Sequence, residues 1–309
     1  MSAKKLFVIG AGPAGYPAAL RARELGAEVV LAEKREIGGV CLNWGCVPSK
    51  SFLDSAHLFD SLELIKQLSS GEFAAKPDWG KIQERRQSVV SKVKTGLEKL
   101  LVSKGVKILR GEAAFISAGE AEIRSSGRTT REKFDSAIIA AGTEAFFPPP
   151  FDSSPELTLD NVSVFSLAKL PESVILVGGG AVGVELACFF HALGTKTSIV
   201  EMTPSLLPGE DSAVRRSLET SFQKRGINLC LGVSAQKISA ENGLKRLTLS
   251  DGNEISAEEI VVCAGRTAKL EGLGLEKIGV SWNRKGIRVD ETLRTEIPNV
   301  FAAGDVNGL

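Results

Sequence analysis

The stretch SVILVGGGAVG, residues 173–183, repeats an arrangement that first occurs as KLFVIGAGPAG at residues 5–15. In both copies an apolar run of strand length leads into glycines with the spacing G-x-G-x-x-G. Gly178 follows Gly10 by 168 positions, and the other two glycines of each loop keep the same separation. A duplication without an inserted or deleted residue predicts two copies of one supersecondary unit in the same chain.

The duplication continues beyond the glycine loops. Gly26 and Gly194 come where the helix after each loop is predicted to end, and Glu33 and Glu201 close the next apolar run. Strand, glycine loop, helix, strand and closing acid are typical of the dinucleotide-binding βαβ unit. There the first glycine allows a tight turn, the second lets the backbone approach a pyrophosphate, and the acid accepts hydrogen bonds from ribose hydroxyls. The sequence therefore predicts an α/β fold with two Rossmann-like dinucleotide-binding domains.

Length and composition agree with two domains and give no sign of a polyanionic partner. The chain has 309 residues, of which 43% are hydrophobic, and its 38 basic and 37 acidic residues nearly balance, so we expect no nucleic acid and no membrane as a partner. The apolar residues 173–194 are interrupted by Glu185 and by a glycine run, which favours strand, turn and buried helix over a membrane span. Five cysteines, an odd number, do not make a secreted disulfide framework, and no signal-peptide pattern is evident, so we expect a cytoplasmic protein.

Changes of pattern along the chain predict where the domains divide. We expect a first nucleotide-binding domain over residues 1–150, with a helical insert at about 57–104, because apolar residues recur there at helical spacing. A proline-rich crossing then leads to a second domain over residues 151–270, and residues 271–309 return to the first domain and end near Gly304-Asp305. The runs VKILRGEAAFIS and EKFDSAIIAAGTE are predicted to rejoin the first sheet, with a hairpin at SSGRTT between them.

The segment GGVCLNWGCVPSK, residues 38–50, places Cys41 and Cys46 five positions apart. On these residues alone the pair is a redox couple, half of a metal site, or two small buried side chains. A zinc site is disfavoured, because no second C-x-x-C occurs and His57 and His191 are far apart in sequence, so no metal is expected. Pro48 suits a first helical turn, which predicts Cys46 at a helix start. The remaining cysteines lie in apolar patterns and are interpreted as core: Cys188, Cys230 and Cys263.

Four motifs occur together in this order: GAGPAG with Glu33, CLNWGC, GGGAVG with Glu201, and TEIPNVFAAGD. With them the chain resembles the FAD- and NAD-linked disulfide oxidoreductases (pyridine nucleotide-disulfide oxidoreductases of class I), and CLNWGCVPSK is most similar to the dihydrolipoamide dehydrogenase branch. The resemblance implies FAD as cofactor of the first unit and NAD as cofactor of the second. Met202 and Thr203 follow Glu201, without an adjacent arginine for a 2′-phosphate, which favours NAD over NADP.

The resemblance also implies roles for individual residues. Cys41 and Cys46 become a redox-active disulfide, in which Cys41 exchanges with substrate and Cys46 forms the flavin adduct and the charge-transfer thiolate. Lys50 is expected beside flavin N5, paired with Glu185, which we interpret as a buried carboxylate that needs a partner. FAD contacts are implied for Gly10, Gly12, Pro13, Ala14, Gly15, Glu33, Lys34, Gly39, Val40, Cys41, Gly45, Cys46, Lys50, Ala113, Ala141, Gly142, Thr143 and Asp305. NAD contacts are implied for Gly178, Gly180, Ala181, Val182, Gly183, Glu201 and Gly265.

The activity implied by the resemblance is electron transfer between NAD(H), FAD and the disulfide, as in oxidation of dihydrolipoamide by NAD⁺, an EC 1.8.1 type of reaction. The implied partners are a small or protein-bound lipoyl disulfide, a second copy of the chain, and a 2-oxo acid dehydrogenase complex. The family continues past the Gly-Asp motif into an interface domain with a catalytic histidine, so we expect the chain without that domain to be impaired in turnover. The alternatives are a glutathione- or mercuric-reductase type of enzyme and a nucleotide-binding module without disulfide chemistry.

Overall fold

The computed structural model describes residues 3–70 and 75–309, so residues 71–74 of the expected helical insert lie outside the described residues. The chain forms two compact units. Unit 1 comprises Met1–Val47, Val90–Glu144 and Arg266–Leu309, and unit 2 comprises Pro48–Val89 and Ala145–Gly265. Among the described residues, no helix is both long enough and apolar enough to cross a lipid bilayer.

The helices follow in chain order. They are α1 (Gly15–Glu24), α2 (Gly39–Trp44), α3 (Cys46–Leu68), α4 (Trp79–Ser103), α5 (Ala181–Ala192), α6 (Ser212–Arg225) and α7 (Leu275–Ile278).

The strands are short and fall into parallel and antiparallel groups. They are β1 (Lys5–Ile9), β2 (Glu28–Glu33), β3 (Lys107–Arg110), β4 (Glu112–Ser117), β5 (Glu120–Ser125), β6 (Arg128–Lys133), β7 (Ser136–Ile139), β8 (Thr143–Ala145), β9 (Ser173–Val177), β10 (Lys196–Glu201), β11 (Asn228–Leu231), β12 (Ala235–Glu241), β13 (Leu244–Leu249), β14 (Glu254–Ala257), β15 (Glu259–Val262), β16 (Arg266–Ala268), β17 (Trp282–Asn283), β18 (Gly286–Ile287) and β19 (Val300–Ala302).

The centre of unit 1 is a five-stranded sheet in the order β19-β7-β1-β2-β3, with every pair parallel. Its inner strands are continuous apolar runs, because a parallel sheet is covered on both faces. Phe7 pairs with Val30 in register, and both belong to the core on one face. Val8 and Leu31 lie in the core on the other face. The sheet thus holds the carboxyl ends of β1 and β2, where the first glycine loop and Glu33 lie, on a rigid base.

Unit 2 is built around a four-stranded parallel sheet in the order β11-β10-β9-β15. The duplication read from the sequence is present in the strands, because β9 begins 168 positions after β1 and β10 begins 168 positions after β2. Gly26 and Gly194 follow α1 and α5 in left-handed conformations, with φ of +84° and +90°. The α/β class and the two parallel dinucleotide-fold sheets are therefore confirmed.

The predicted return of both runs to the first sheet is only half right. β3 and β7 do join the parallel sheet, but β4, β5 and β6 form a separate antiparallel sheet. Ser126 and Gly127 adopt left-handed φ values of +45° and +80° at the hairpin between β5 and β6, where the turn was predicted. Short hairpins join β4 to β5 and β5 to β6 and so place them side by side as antiparallel neighbours, whereas parallel pairing would need a crossover connection of a dozen or more residues.

The division into units also differs from the domain boundaries expected from sequence. Residues Pro48–Val89 group with unit 2, whereas the helical insert was expected in the first domain. The cause is aromatic packing, because the fully buried Phe52 stacks on Phe189 with ring centroids 4.4 Å apart. The helix α3 runs unbroken past residue 57, where the insert was expected to begin. The assignment of FAD and NAD to particular ranges stays a prediction.

Candidate functional site

The first glycine loop leaves no room for side chains at its first and third glycines. Gly10 has φ +98°, and a Cβ there would lie 2.2 Å from the carbonyl oxygen of Ala140. A Cβ on Gly15 would lie 1.8 Å from the carbonyl oxygen of Gly10. Gly12 is different, because the nearest atom to its added Cβ would be the Cα of Gly39 at 3.8 Å. Protein packing would therefore tolerate a side chain at Gly12. This is expected where a glycine lets the backbone approach a ligand closely.

The second glycine loop repeats this pattern. A Cβ on Gly178 would lie 2.4 Å from the carbonyl oxygen of Cys263, and one on Gly183 would lie 2.0 Å from that of Gly178. No atom of the described residues lies within 4 Å of a Cβ built on Gly180. Gly180 is also the N-cap of α5, so the free backbone N–H groups of the helix start next to this open space. Both loops thus fit the pyrophosphate of a dinucleotide.

The acid that closes the first unit is buried and tied to the glycine loop. The backbone N–H of Ala11 donates to Glu33 Oε2 at 2.8 Å, and that of Arg35 donates to Glu33 Oε1 at 2.7 Å. Each carboxylate oxygen keeps a second lone pair, so Glu33 retains acceptor capacity for ribose hydroxyls. The burial and the two backbone contacts hold it in one orientation beside the loop.

Glu201 is held in the same way in unit 2. The backbone N–H of Gly179 donates to Glu201 Oε2 at 2.6 Å, and that of Thr203 donates to Glu201 Oε1 at 2.7 Å. The Thr203 hydroxyl lies 2.8 Å from the same Oε1, whereas the corresponding residue of the first unit is Arg35, which has no hydroxyl. The two nucleotide units therefore repeat both glycine geometry and acid anchoring.

Two of the other predicted residues of the first unit, Thr143 and Asp305, are brought together. Thr143 begins β8, and its Oγ1 lies 3.4 Å from Oδ2 of Asp305. Gly304 allows close packing, since a Cβ there would lie 2.7 Å from the Cβ of Ala14. Gly142 has φ +71° and open space around an added Cβ. Asp305 and Thr143 thus lie on the same side of unit 1 as the first glycine loop.

Arg266 is a residue of this cluster that sequence reasoning missed. Its Nε donates to Thr143 Oγ1 at 2.7 Å, and its Nη2 donates to the Thr143 carbonyl oxygen at 2.7 Å. The planar guanidinium group of Arg266 thus holds both the carbonyl group and the side-chain hydroxyl of Thr143 in place. The only available signal was its position directly after Gly265, which was already implied in nucleotide binding.

The cysteine segment folds as two helices separated by a glycine. Cys41 is half-buried within the six-residue helix α2. Cys46 is exposed and begins the 23-residue helix α3, so the prediction of a helix start is confirmed. A Cβ on Gly45 would lie 3.1 Å from the Cα of Cys41, so the glycine allows a close turn between the two helices. The resemblance assigned substrate exchange to Cys41, yet Cys46 is the more exposed cysteine in the structure.

Lys50 and Glu185 are in contact. Lys50 Nζ lies 2.5 Å from Glu185 Oε1, and Lys50 follows Cys46 by one helical turn on α3. The interpretation of Glu185 as a buried carboxylate is wrong, because its side chain is 33% exposed and that of Lys50 is 60% exposed. Its sequence neighbours Val184 and Leu186 are buried, so the burial of adjacent residues on α5 does not extend to Glu185. An ion pair this exposed contributes little to stability, about 0–1 kcal/mol.

The positions of the remaining predicted residues say less about a nucleotide site. Lys34 pairs with Glu112, Nζ to Oε1, at 3.1 Å on the surface. The methyl group of Ala113 packs in the core of unit 1, so a nucleotide contact there would have to come from its backbone. Gly265 has φ +108° with open space around an added Cβ. Of the remaining predicted residues, three are exposed, Pro13, Ala181 and Val182, and two are half-buried, Val40 and Ala141.

The three cysteines interpreted as core are half-buried, and their thiols are held protonated. Burial raises the pKa of Cys188 and that of Cys230. Burial also raises the pKa of the Cys263 thiol to about 12, with a smaller contribution from the negative charge of Asp160. The thiolate is the reactive form of cysteine, so these residues are poor candidates for exchange chemistry.

We expect Cys263 to resist alkylation in the folded protein. After reduction, iodoacetamide at about pH 8.5 should modify the exposed Cys46 well before Cys263, as measured by peptide mass spectrometry. Above the ordinary thiol pKa the unfolded Cys263 loses its proton while the folded one keeps it, so this residue lowers stability as the pH rises from 9.0 toward about 12. Equal labelling of both residues in the native protein would contradict the expectation, and labelling in urea serves as the control.

The two histidines lie on helices of unit 2. His57 is exposed on α3 itself, and His191 is half-buried on α5. Burial lowers the pKa of His191, and the positive charge of Arg225 lowers it further. Arg225 forms a bidentate ion pair with Asp60 at 2.8 and 3.0 Å. The lowered pKa of His191 thus follows from its burial and from the nearby positive charge of Arg225.

Comparison with known proteins gives consistent results. The family model for pyridine nucleotide-disulphide oxidoreductases matches residues 4–309. A dihydrolipoyl dehydrogenase of Geobacillus stearothermophilus is 34% identical over 303 residues, which are 97% of this chain and 64% of that protein. One from Acholeplasma laidlawii is 32% identical and matches 98% of this chain and 90% of its own length. The chain therefore spans about two thirds of the Geobacillus relative and most of the Acholeplasma one.

Solved structures share the fold. LpdA from Mycobacterium tuberculosis superposes with a TM-score of 0.90 at 26% identity, and the match covers 99% of this chain and 68% of LpdA. The HOCl-induced flavoprotein disulfide reductase RclA from Escherichia coli gives a TM-score of 0.86 at 25% identity, over 98% of this chain and 66% of RclA. FAD and NAD(H) are the cofactors of this family, and the two glycine loops with their anchored acids fit two dinucleotides. On its motifs, its fold and these matches, the chain belongs to the pyridine nucleotide-disulphide oxidoreductase family.

Proposed function

We propose that the chain passes electrons between NAD(H), FAD and a disulfide formed by Cys41 and Cys46, in the reaction of a dihydrolipoyl dehydrogenase. The observation that carries the proposal is the duplicated nucleotide unit, with two glycine loops of equal geometry and two acids anchored alike. Two dinucleotide sites in one chain suit a transfer from one nucleotide to the other. The similarity at 34% identity to dihydrolipoyl dehydrogenase supports the lipoyl group as substrate.

The electrons balance as follows. The two thiols of dihydrolipoamide become a disulfide and release two electrons and two protons, and NAD⁺ takes up both electrons and one proton as hydride to become NADH. The second proton goes to solvent. Bound FAD supplies the relay, because a flavin exchanges an electron pair both with a nicotinamide and with a dithiol.

In this proposal the chain's own residues bind and orient. Gly12 and Glu33 hold the FAD pyrophosphate and ribose, and Gly180 and Glu201 hold those of NAD. Asp305 accepts hydrogen bonds from the FAD ribitol. The supporting geometry is the open space at both middle glycines and the fixed orientation of both acids.

Cys46 is the proposed inner thiol and Cys41 the exchanging one, with Lys50 and Glu185 beside the flavin. Cys46 begins a long helix, and a helix start favours negative charge such as that of a thiolate. Lys50, one turn further along α3, has its ammonium group held by Glu185. These roles follow the resemblance and are supported by the helix start and the ion pair.

The wider context is also part of the proposal. We expect a lipoyl group that is free or protein-bound, a second copy of the chain, and a 2-oxo acid dehydrogenase complex as partners. A cytoplasmic location agrees with a dithiol that cycles between reduced and oxidised forms. The name of the RclA neighbour, a disulfide reductase, supports a disulfide other than lipoamide as the alternative substrate, and the thiol donor assay tests glutathione as that alternative.

An absorption spectrum tests the electron path. The chain is loaded with FAD and titrated with NADH without oxygen. We expect the flavin band to bleach partly and a long-wavelength charge-transfer shoulder to appear in the wild type. Cys46→Ser should bind FAD but develop no shoulder, whereas the control Cys230→Ser should behave like the wild type. A shoulder of equal size in Cys46→Ser would contradict the proposal.

A thiol donor assay tests the substrate. The oxidised chain is mixed with dihydrolipoamide or with glutathione at equal thiol concentration, quenched, and alkylated to count reduced Cys41 and Cys46. We expect dihydrolipoamide to reduce the pair at least ten times faster, because a dithiol closes its own ring after the first exchange. Equal rates, or faster reduction by glutathione, would favour the glutathione-type alternative.

A further inference from the structure

We propose that Asn43 is a positioning residue that locks the helix carrying Cys41 onto the first glycine loop and thereby sets how readily Cys41 and Cys46 form their disulfide. The inference rests on the proposed function, since it takes the two cysteines as a redox pair. Asn43 lies between them in the sequence and has no place in the roles assigned above.

The first observation is the set of bonds made by the Asn43 side chain. Asn43 is 6% exposed, and its Nδ2 donates to the carbonyl oxygens of Ile37 at 3.0 Å and of Gly39 at 2.9 Å. One amide hydrogen is thus used on Ile37 in the turn before α2, and the other on Gly39, the first residue of α2. The opposite orientation of the amide would place an oxygen against two carbonyl oxygens, so the nitrogen assignment follows from the partners.

The second observation is that α2 needs such a tie. The helix has only six residues, and a helix this short is unstable by itself. Its N-cap, Gly38, has φ +92° and makes no side-chain cap bond. The Asn43 side chain, near the C-terminal end of α2, therefore stabilises the N-terminal end of the helix through its hydrogen bonds to Ile37 and Gly39.

The third observation is that the same turn is fastened to the first nucleotide loop. The backbone N–H of Gly38 donates to the carbonyl oxygen of Ala11 at 2.9 Å. Gly39 runs directly beside Gly12, because a Cβ on Gly39 would lie 2.7 Å from the Gly12 Cα. The N–H of Ala11 in turn donates to Glu33. A continuous set of short contacts thus connects the acid, the glycine loop, the turn and Asn43.

The consequence concerns the distance between the two sulfur atoms. A disulfide forms only when its two Cα atoms lie within a narrow range of distance and direction. Cys41 is on α2, Cys46 begins α3, and Gly45 joins them. If α2 loosens, the two thiols meet in the right geometry less often, and the dithiol form gains over the disulfide.

The test is the thiol–disulfide equilibrium of the chain with FAD bound and without NAD(H). Protein is equilibrated in glutathione buffers, where two protein thiols become a disulfide while one glutathione disulfide becomes two glutathione thiols. Alkylation and mass spectrometry then count reduced Cys41 and Cys46. Asn43→Asp keeps the shape but replaces both donors by acceptors. We expect the disulfide equilibrium constant to fall about tenfold, which for this two-electron couple is a potential about 30 mV less negative.

Two further variants make the result specific. Asn43→Ser keeps one hydroxyl donor and should shift the constant by about threefold, so it serves if Asn43→Asp does not fold. Asn228→Asp makes the same chemical change at an exposed position on β11 and should leave the constant within about twofold of wild type. Circular dichroism checks that each variant is folded.

The outcomes separate this inference from the proposed function. A folded Asn43→Asp or Asn43→Ser with the wild-type equilibrium constant overturns the positioning role alone. A wild-type chain that forms no bond between Cys41 and Cys46, even in oxidising buffer, overturns the proposed function and this inference with it. A graded shift from serine to aspartate, with the Asn228→Asp control unchanged, supports both.

Discussion

Gly183→Ala is expected to destabilise unit 2 by about 3 kcal/mol or more, the upper end of the range for overpacked positions. A Cβ at this position would lie 2.0 Å from the carbonyl oxygen of Gly178. That oxygen belongs to the backbone at the end of β9, so it cannot swing aside as a flexible side chain would. Either α5 moves away from the sheet or the glycine loop opens. Urea unfolding followed by circular dichroism measures the loss.

Gly180→Ala is the matched control in the same loop. Within the part of the chain that the structure describes, nothing lies within 4 Å of a Cβ at Gly180, and its φ of −74° suits any residue. We expect the free energy of unfolding to stay within about 0.5 kcal/mol of wild type. NADH binding should nevertheless weaken at least tenfold, because the methyl group takes the space through which a pyrophosphate approaches the backbone.

Two results would contradict this pair of predictions. Equal stability of Gly183→Ala and Gly180→Ala would show that the backbone around Gly183 and the Gly178 carbonyl can move apart at little cost. Wild-type NADH affinity in Gly180→Ala, measured by fluorescence titration, would show that the open space beside this glycine does not receive the nucleotide. FAD retention should be unchanged in Gly180→Ala, since the altered loop belongs to unit 2.

Phe52→Ala is expected to cost about 3–5 kcal/mol of the free energy of unfolding, as for other large aromatic residues removed from a core. Phe52 is 1% exposed, and its ring stacks on Phe189 at 4.4 Å with an interplanar angle of 7°. It also contacts the ring of Phe165 at 5.4 Å and that of Trp79 at 5.6 Å. The truncation would leave a cavity where α3, α4 and α5 converge within unit 2.

The effect should reach the Lys50–Glu185 pair as well. Lys50 lies two residues before Phe52 on α3, and Glu185 lies one turn before Phe189 on α5, so the aromatic stack holds the two helices that carry the pair. Leu58→Ala on the same helix is the control, because Leu58 is 61% exposed and should change stability by less than about 0.5 kcal/mol. Equal unfolding midpoints in urea for the two variants would show that the aromatic contacts of Phe52 do not stabilise the fold.

Much of the nucleotide-binding architecture could be predicted from the sequence. The third glycine of each loop is required by a clash with an atom close in sequence, as for Gly15 against the carbonyl of Gly10, so a local pattern suffices to identify it. The first glycine of each loop packs against a distant residue, Ala140 or Cys263, and the sequence identifies it only through its spacing from the third. The positions of Glu33 and Glu201 follow from strand and helix lengths after each loop. The helix start at Cys46 was readable from Pro48 for the same local reason.

Other features depended on contacts between residues far apart in sequence. The contact between Arg266 and Thr143 spans 123 positions, and no local pattern points to it. The exposure of Glu185 could not be read from its apolar neighbours, because the packing around a helix decides which face is covered. The antiparallel sheet of β4, β5 and β6 reflects competition between near and distant strand partners.

By itself the sequence determined that this protein has two dinucleotide units in one chain, with a pair of cysteines following the first. Those properties can be read locally, since they rest on glycine spacing, on strand and helix periodicity and on the short distance in sequence between the two cysteines. Only the tertiary structure decided that Pro48–Val89 packs in unit 2 and that Asn43 ties the cysteine helix to the first loop. Burial of an aromatic ring or of an amide depends on which surfaces meet, and that is settled by packing over the whole unit.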